Sequence, residues 1–372
     1  MRFPEFRGEW KENKLEECVE FLDGDRKPIK ESERISEKRI YPYYGASGII
    51  DYIDDYIFDD SLILLSEDGA NILERKYRVA FIATGKIWVN NHAHVLKPKL
   101  GFDTNFLSEQ LERKDYAPYN TGTTMPKLNQ EVCKAIPLYN PEYEEQKKIG
   151  QFLELVNERI VTQSRAIEKL QSLISGITQK FSKHPSVQKK MLSDVLTERN
   201  EKNHKLLPVY SVSVSEGIVN QVEYLGRSFA AKDTSNYNVV HFGDIVYTKS
   251  PTGDFPFGIV KRSNIVDDVA VSPLYGVYQP SCDDIGVYLH YYFCSSLNAK
   301  NYLHKLIQKG AKNTINITNQ RFLGNEIPIP NPNTLHKYVG LMTSLSKKLE
   351  QEKNLFVLLQ TQKQFLLREM FI

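Results

Sequence analysis

Cysteine is scarce in this chain. Its four cysteines, Cys18, Cys133, Cys282 and Cys294, lie far apart and form no C-x-x-C pair, which argues against a zinc knuckle or a disulfide framework and fits a reducing compartment. No run approaches the ~20 apolar residues of a membrane span, and the opening MRFPEFRGEWKENK lacks the apolar core of a signal peptide. The expected location is the cytoplasm. Charge of one sign is also missing. Lys and Arg number 48 against 46 Asp and Glu, a net charge of +2, so a nucleic-acid surface would have to be a local patch on a neutral background. No phosphate loop of the form G-x-x-x-x-G-K followed by Ser or Thr occurs, which excludes an ATP-driven motor within this chain. What remains is an ordinary globular composition, 41% hydrophobic and 25% charged over 372 residues. It excludes a disordered tail and a single small module, and suggests two or three cores.

An internal repeat organises the chain. The stretch from Gly122, GTTMPKLNQEVCKAIPLYNPEYEEQKKIGQFLELVNERI, and the stretch from Gly310, GAKNTINITNQRFLGNEIPIPNPNTLHKYVGLMTSLSKKL, share Gly, small polar residues, an apolar pair, Ile-Pro, Asn-Pro and then a helical pattern, at an offset of about 190 residues. In the first helical pattern Ile149, Leu153, Val156, Ile160, Gln163, Ile167, Leu170, Ile174, Ile177 and Phe181 alternate in steps of four and three, a coiled-coil seam with one polar member. Moved by 189 residues the seam becomes Tyr338, Met342, Leu345, Leu349, Glu352, Phe356, Leu359, Lys363, Leu366 and Met370, again mostly apolar. Two helices of about 40 residues, each roughly 60 Å long, would expose these stripes if left alone, so the simplest arrangement pairs them with each other. Antiparallel pairing would bring Gln163 near Glu352. Packing of each helix on its own globular half is the alternative.

The segments before each helix read as strands. Short apolar runs at 62–65, 79–83, 87–89 and 94–96 in the first half, and at 207–214, 239–247, 258–260 and 274–278 in the second, are separated by turn-forming residues. Helices are expected at 105–113 and 287–306. The break SKHPS at 182–186 ends the first long helix at its proline. The expected fold class is therefore α+β: strand-rich globules at 1–140 and 183–333, with long antiparallel coiled-coil helices at 141–182 and 334–372.

Catalytic motifs do not hold together. Asn140-Pro141-Glu142-Tyr143 has the outline of the loop that holds a flipped adenine in amino-methyltransferases, but its second proline is Glu142 and it runs into a helix start, where acidic residues suit the dipole. Asp60, Glu74 and Lys76 can be forced into a nuclease spacing, although Glu74 sits in a charged stretch. His92 and His94 could share one face of a strand and begin a metal site, with no third ligand evident, so no metal site is expected. Binding chemistry is better represented. Residues 41–58, YPYYGASGIIDYIDDYIF, gather Tyr41, Tyr43, Tyr44, Tyr52 and Tyr56 around Gly45 and Gly48, a mix that permits close backbone approach and polar recognition; an aromatic core with a tight turn is the competing use. In the second half Lys249 to Asp254, with Lys261 and Arg262, are expected in loops beside strands, presenting hydroxyl and bidentate groups or merely solvated.

Taken in order, YPYYGASGIIDYIDDYIF, SEDGANI (Ser66 to Ile72), WVNNHAHVL (Trp88 to Leu96), GTTMPKLNQEVCKAIPLYNPEYEEQKKIGQFL, GDIVYTKS (Gly243 to Ser250), VSPLYGVY (Val271 to Tyr278) and IPIPNP before the last helix resemble the specificity subunit of a type I restriction-modification system over nearly the whole chain. The second copy departs at its helix start, with TLHKYVG in place of the usual EQ-containing run. The resemblance implies a non-catalytic subunit with two target recognition domains, each reading one half of a bipartite DNA site, and two helices acting as a ruler between them. It implies double-stranded DNA as ligand, and two modification subunits and restriction subunits as partners. S-adenosylmethionine would belong to the modification subunits, which must also hold the flipped base. Within this frame Tyr44, Ser47, Lys86 and Asn90 in the first domain, and Lys249, Thr252, Lys261 and Arg262 in the second, are the expected DNA contacts. Ile149, Leu153, Val156, Ile160, Gln163, Ile167, Leu170, Met342, Leu345, Leu349, Glu352, Phe356 and Leu359 form the expected coiled-coil interface. A coiled-coil scaffold that does not bind DNA is the other reading.

Overall fold

The computed structural model describes residues 2–34, 38–227, 230–309 and 315–371. The start of the second repeat copy, Gly310 to Thr314, lies outside them. The chain divides into two compact units, Met1–Arg165 with Asn354–Ile372, and Ala166–Lys353. Among the described residues no helix is long and apolar enough to cross a membrane.

The first unit contains strands β1 Lys11–Lys14, β2 Val19–Phe21, β3 Tyr41–Gly45, β4 Gly48–Ile53, β5 Phe58–Ser66, β6 Ala80–Val89, β7 Ala93–Pro98 and β8 Pro137–Asn140. Helices α1 Leu15–Cys18, α2 Asn71–Glu74, α3 Thr104–Arg113 and α4 Gln130–Lys134 precede the long α5, Tyr143–Ser182. A six-stranded sheet runs in the order β2-β7-β5-β6-β3-β4, antiparallel except where β3 meets β6. Strand alternation feeds two cores. Ile63 and Leu65 face a core shared with Phe106, Leu107 and Leu111 of α3, while Leu62 and Leu64 face Ala83, Ile87 and Val95 on the other side. The two expected runs 79–83 and 87–89 are one strand, β6. Gly85, with φ of 78°, carries the chain through the exposed stretch between them.

The second unit holds β9 Gln188–Met191, β10 Leu196–Glu198, β11 Val209–Ser213, β12 Gly217–Asn220, β13 Asn238–Val240, β14 Ile245–Thr248, β15 Ile259–Arg262, β16 Val269–Val271, β17 Gly276–Pro280, β18 Gln308–Lys309, β19 Ile315–Asn316 and β20 Glu326–Ile329. Its helices are α6 Gln221–Leu225, α7 Asp283–Cys294, α8 Ser296–His304, α9 Asn319–Phe322 and the start of α10, Pro332–Met370. Two four-stranded sheets, β10-β17-β14-β15 and β12-β11-β16-β13, enclose a valine-rich core of Val240, Val246, Val269, Val271 and Val277. On the other face of the first sheet Ile245, Tyr247 and Tyr278 meet the helices, with Phe322 stacked on both tyrosines at 4.6 and 4.8 Å.

Two sequence expectations are corrected here. The run 239–247 is two strands in different sheets, because Gly243 takes φ of 88° and Asp244 turns its carboxylate back onto the His241 N–H at 2.9 Å. The expected helix 287–306 is α7 followed by α8. Ser295 breaks it, with an extended backbone and a hydroxyl that accepts from the Asn298 N–H, as an N-cap does.

The repeat is visible element by element. Helix α9 follows α4, β20 follows β8 and α10 follows α5, each at an offset of 189 residues. In each unit the strand before the long helix pairs antiparallel with an early strand, β1 with β8 and β9 with β20. The two long helices have 40 and 39 residues. Every member of both heptad stripes, Gln163, Glu352 and Lys363 included, is buried or half-buried, whereas most intervening positions are exposed. The antiparallel sense can be read inside each unit. In the first, Ile149 and Leu153 near the start of α5 share a core with Leu366, Leu367 and Met370 near the end of α10. In the second, Ile174, Ile177 and Phe181 near the end of α5 pack with Tyr338 and Met342 near the start of α10, and the Thr178 and Tyr338 hydroxyls lie 3.0 Å apart. Gly150 permits one close approach, since a Cβ there would lie 2.4 Å from the carboxylate of Asp103, the N-cap of α3.

Candidate nucleic-acid interface

In the first unit the tyrosine-rich stretch forms the hairpin β3–β4 at the edge of the sheet. Its tip holds Ser47, exposed, and Gly48 with φ of 131°, a conformation that other residues rarely adopt. The tip is tied down by Ser66, whose hydroxyl donates to the Ala46 carbonyl at 2.5 Å. Tyr44 is half-buried against Phe81, ring centroids 6.0 Å apart, and burial raises its phenol pKa. Its carbonyl accepts from the Asn90 N–H at 3.0 Å. The Asn90 side chain is buried and accepts from the His92 N–H at 2.8 Å. Tyr44 and Asn90 therefore frame the base of the hairpin, and Ser47 is the group presented to solvent. Along β4, Ile49, Ile50 and Tyr52 are exposed on this edge strand, where an apolar surface is a liability unless something binds it.

Lys86 is exposed on β6. Its ammonium lies 4.6 Å from the centroid of Tyr56, which itself packs on Tyr41 at 5.1 Å. The Tyr56 hydroxyl holds the lysine pKa above its usual value. Sequence reading singled out Lys86 but not this platform. Nor did it give a role to Lys27 to Arg34. The Lys27 carbonyl accepts from the Trp88 indole at 2.6 Å, the Ile29 N–H donates to the Tyr43 hydroxyl at 3.0 Å, and Arg34 stacks 5.2 Å from the Tyr43 ring. The cluster of basic residues in RKPIKESER was the available signal.

In the second unit Lys249 and Thr252 share the loop after β14. Thr252 is exposed and exchanges two backbone hydrogen bonds with Phe255, at 3.1 and 2.9 Å, which fixes a tight turn. Lys249 is half-buried, and that burial lowers its pKa while Glu198 acts in the opposite sense. Lys261 and Arg262 do not belong to a surface loop. Both are on β15 and only 5% and 6% exposed. Lys261 Nζ donates to Cys294 Sγ at 3.4 Å. Arg262 pairs with Asp283, donates to Asn264 at 2.5 Å and lies 4.7 Å from the Phe242 ring. The α7 helix covers them, so their expected role at a DNA surface is withdrawn.

The other motifs resolve into structure. Asn140 closes β8 and its amide donates to Asn13 at 3.1 Å, so Asn140 to Tyr143 is the lead-in to α5. Asp60 pairs with Lys97 at 2.5 Å and Glu74 with Lys76 at 2.7 Å, so each carboxylate of the nuclease spacing is engaged by a lysine of its own. His92 pairs with Asp68 at 2.8 Å, apart from His94. Three donors do converge at Asp23, Glu67 and His94. They are already engaged: His94 donates from Nδ1 to Asp23 at 2.6 Å and from Nε2 to the Leu128 carbonyl at 2.8 Å, and Glu67 receives Arg26 at 2.6 Å and Lys127 at 3.4 Å. With acceptors at both ring nitrogens the imidazole is a cation, unsuited to a metal.

Comparison with known proteins accords with this geometry. The sequence model of the type I restriction modification DNA specificity domain matches residues 7–172. A protein of Haemophilus influenzae described as a type I restriction enzyme specificity subunit is 35% identical over 146 residues, 39% of this chain; the match spans 36% of that protein's length. The crystal structure of a type I restriction-modification system S subunit from M. genitalium superimposes with a TM-score of 0.67 and 13% identity, covering 100% of this chain and 99% of that one, a likeness of fold.

Proposed function

Because residues 7–172 match the type I restriction modification DNA specificity domain, we propose that the chain is the non-catalytic, cytoplasmic subunit that selects the DNA sequence for such a complex. One observation carries the reading to the whole chain: the module of short helix, ribbon strand and long helix that ends the matched domain is built again 189 residues later. Two related globules with different loop chemistry suit two unlike half-sites. In this reading residues 1–140 and 183–333 are target recognition domains, and the helices at 141–182 and 334–372 set the spacing between half-sites. Two modification subunits would carry S-adenosylmethionine and the pocket for the flipped base, and restriction subunits would complete the assembly. Ser47, Lys86 and the Lys27 to Arg34 loop are the groups offered to DNA by the first domain, with Tyr44 and Asn90 setting the hairpin. Lys249 and Thr252 are offered by the second.

Footprinting of duplex DNA by the full chain with its modification subunits tests this, and methylome sequencing with and without the gene identifies the site. Two protected half-sites are expected; protein assembly without a footprint would leave a coiled-coil scaffold instead. Phosphate contacts should dominate affinity. Replacing Lys249 with Ala is expected to weaken cognate binding and to flatten the slope of log K against log salt by about one. An unchanged slope across the salt series would remove Lys249 from the interface.

A further inference from the structure

Cys294 is the last residue of α7, and His290 precedes it by four, so both stand on one helical face. The neighbouring strand β15 brings Lys261 against them. Three observations define the chemistry. The Lys261 side chain is buried in the residue sense, 5% exposed, and its Nζ donates to Cys294 Sγ at 3.4 Å. His290 Nε2 lies 3.8 Å from the same sulfur. The Arg262 N–H donates to His290 Nδ1 at 3.3 Å, which fixes the tautomer with its proton on Nε2, directed at the sulfur. Two donors thus converge on one sulfur, as a thiolate requires and a thiol does not. Cys294 is an exposed residue at the end of α7. Burial of its surroundings would raise the thiol pKa, but the hydrogen bond from His290 and the charge and hydrogen bond of Lys261 act in the opposite sense and bring it below its usual value. The negative end of α7 opposes ionisation, and the phenols of Tyr291 and Tyr338 also face this site.

We propose that Cys294 is a resident thiolate held by Lys261 and His290 and is a covalent modification site for small-molecule disulfides and similar soft electrophiles. In the disulfide reaction the Cys294 thiolate attacks one sulfur of R–S–S–R. The new Cys294–S–S–R bond forms as the old S–S bond breaks, Cys294 is oxidised, and the departing R–S⁻ is the reduced product that takes a proton from solvent. Capping would also remove the anion that Lys261 faces, leaving a buried ammonium on β15 without its counter-charge. The site therefore couples modification to the sheet whose next strand, β14, leads into the loop of Lys249 and Thr252.

The full chain carries its own reference thiol, Cys282, exposed in the same unit, while Cys18 and Cys133 are buried. Iodoacetamide at pH 6.5 with peptide mass mapping should alkylate Cys294 several-fold faster than Cys282, because the larger thiolate fraction at Cys294 outweighs the lower nucleophilicity of a weaker base. Oxidised glutathione at the same pH should form its mixed disulfide at Cys294 first. In Lys261→Met the midpoint of the Cys294 pH–rate profile should rise by more than one pH unit, with the Cys282 rate unchanged as the check on folding. Should that variant not fold, His290→Leu should produce a shift in the same direction. Equal rates for Cys294 and Cys282 in the unsubstituted chain, or a Cys294 midpoint above 8, would overturn the proposal without reference to any variant.

Discussion

Replacement of Glu109 with Ala is expected to destabilise the first unit by about 3–5 kcal/mol, the loss typical of removing one partner from a buried ion pair. Glu109 is only 3% exposed. Its carboxylate receives Arg78 at 2.7 Å, Lys363 at 3.2 Å and the Asn157 amide at 2.8 Å, joining α3, α5, α10 and the approach to β6. Burial would raise its pKa, yet Arg78 and Lys363 together hold it below the usual carboxylate range. Lys363 has the opposite balance. Burial and the nearby Arg78 lower its pKa more than Glu109 raises it. The carboxylate is therefore the hub, and Lys363 depends on it. Without Glu109 the Arg78 guanidinium, 34% exposed, can turn to water, whereas Lys363, at 13%, keeps a charge with little solvent to receive it. The double variant Glu109→Leu with Lys363→Met should recover most of the loss, since an apolar pair of similar volume avoids the desolvation altogether. Hydrogen exchange of α3 and thermal unfolding of the full chain would measure both. A loss below 1 kcal/mol in Glu109→Ala, or a double variant no better than the single, would show that the cluster is a solvated surface network.

That cluster also shows where sequence reasoning stops. The heptad stripes were legible because their period is local: each apolar position is followed by another three or four residues on, and both stripes are buried or half-buried along their length. Lys363 appeared there only as a polar interruption, since its partner Glu109 lies 254 residues away. Lys261 and Arg262 failed for the same reason. A Lys-Arg pair beside a strand ordinarily faces water, and nothing local says that α7, some 20 to 30 residues later, supplies Asp283, His290 and Cys294 to receive it. The hairpin at Tyr44 to Gly48 was legible in outline, because two glycines among tyrosines mark a tight turn. Its support was not, because the loop that reaches Tyr43 and Trp88 is a charged segment whose backbone, rather than its side chains, makes most of the contacts. Gly243 was present in the expected run 239–247, but a glycine inside an apolar stretch gives no sign of its φ until the chain on either side is seen to enter different sheets.

Stability of the first unit should fall as pH rises from about 6.5 towards about 10, and His94 should account for much of the fall. The side chain is 1% exposed. Burial alone would lower its pKa, but Asp23 and Cys133 reverse that and raise it to about 10. Glu67 lies 3.8 Å from Nδ1, while Arg26 and Lys127 neutralise Glu67 from outside. Because the folded state holds the proton more tightly than the unfolded chain, whose histidine titrates near 6.5, the contribution is fully present below about 6.5 and disappears through about 10. At ~1.4 kcal/mol per pH unit the ceiling is roughly 5 kcal/mol. The sign gives a test that ordinary alkaline unfolding does not mimic. The deficit of His94→Gln relative to the unsubstituted chain should be largest at pH 6.5, several kcal/mol, and should shrink steadily as the pH approaches 10, where the unsubstituted chain has lost the same proton. Urea unfolding of both chains at half-unit pH steps would show whether the curves converge. The cation also predicts that zinc gives no stabilisation at pH 7, since an imidazolium donating at both nitrogens has no lone pair to offer a metal. Parallel curves, or a zinc-dependent rise in unfolding temperature that His94→Gln abolishes, would mean that Asp23, Glu67 and His94 form a ligand set rather than an ion network.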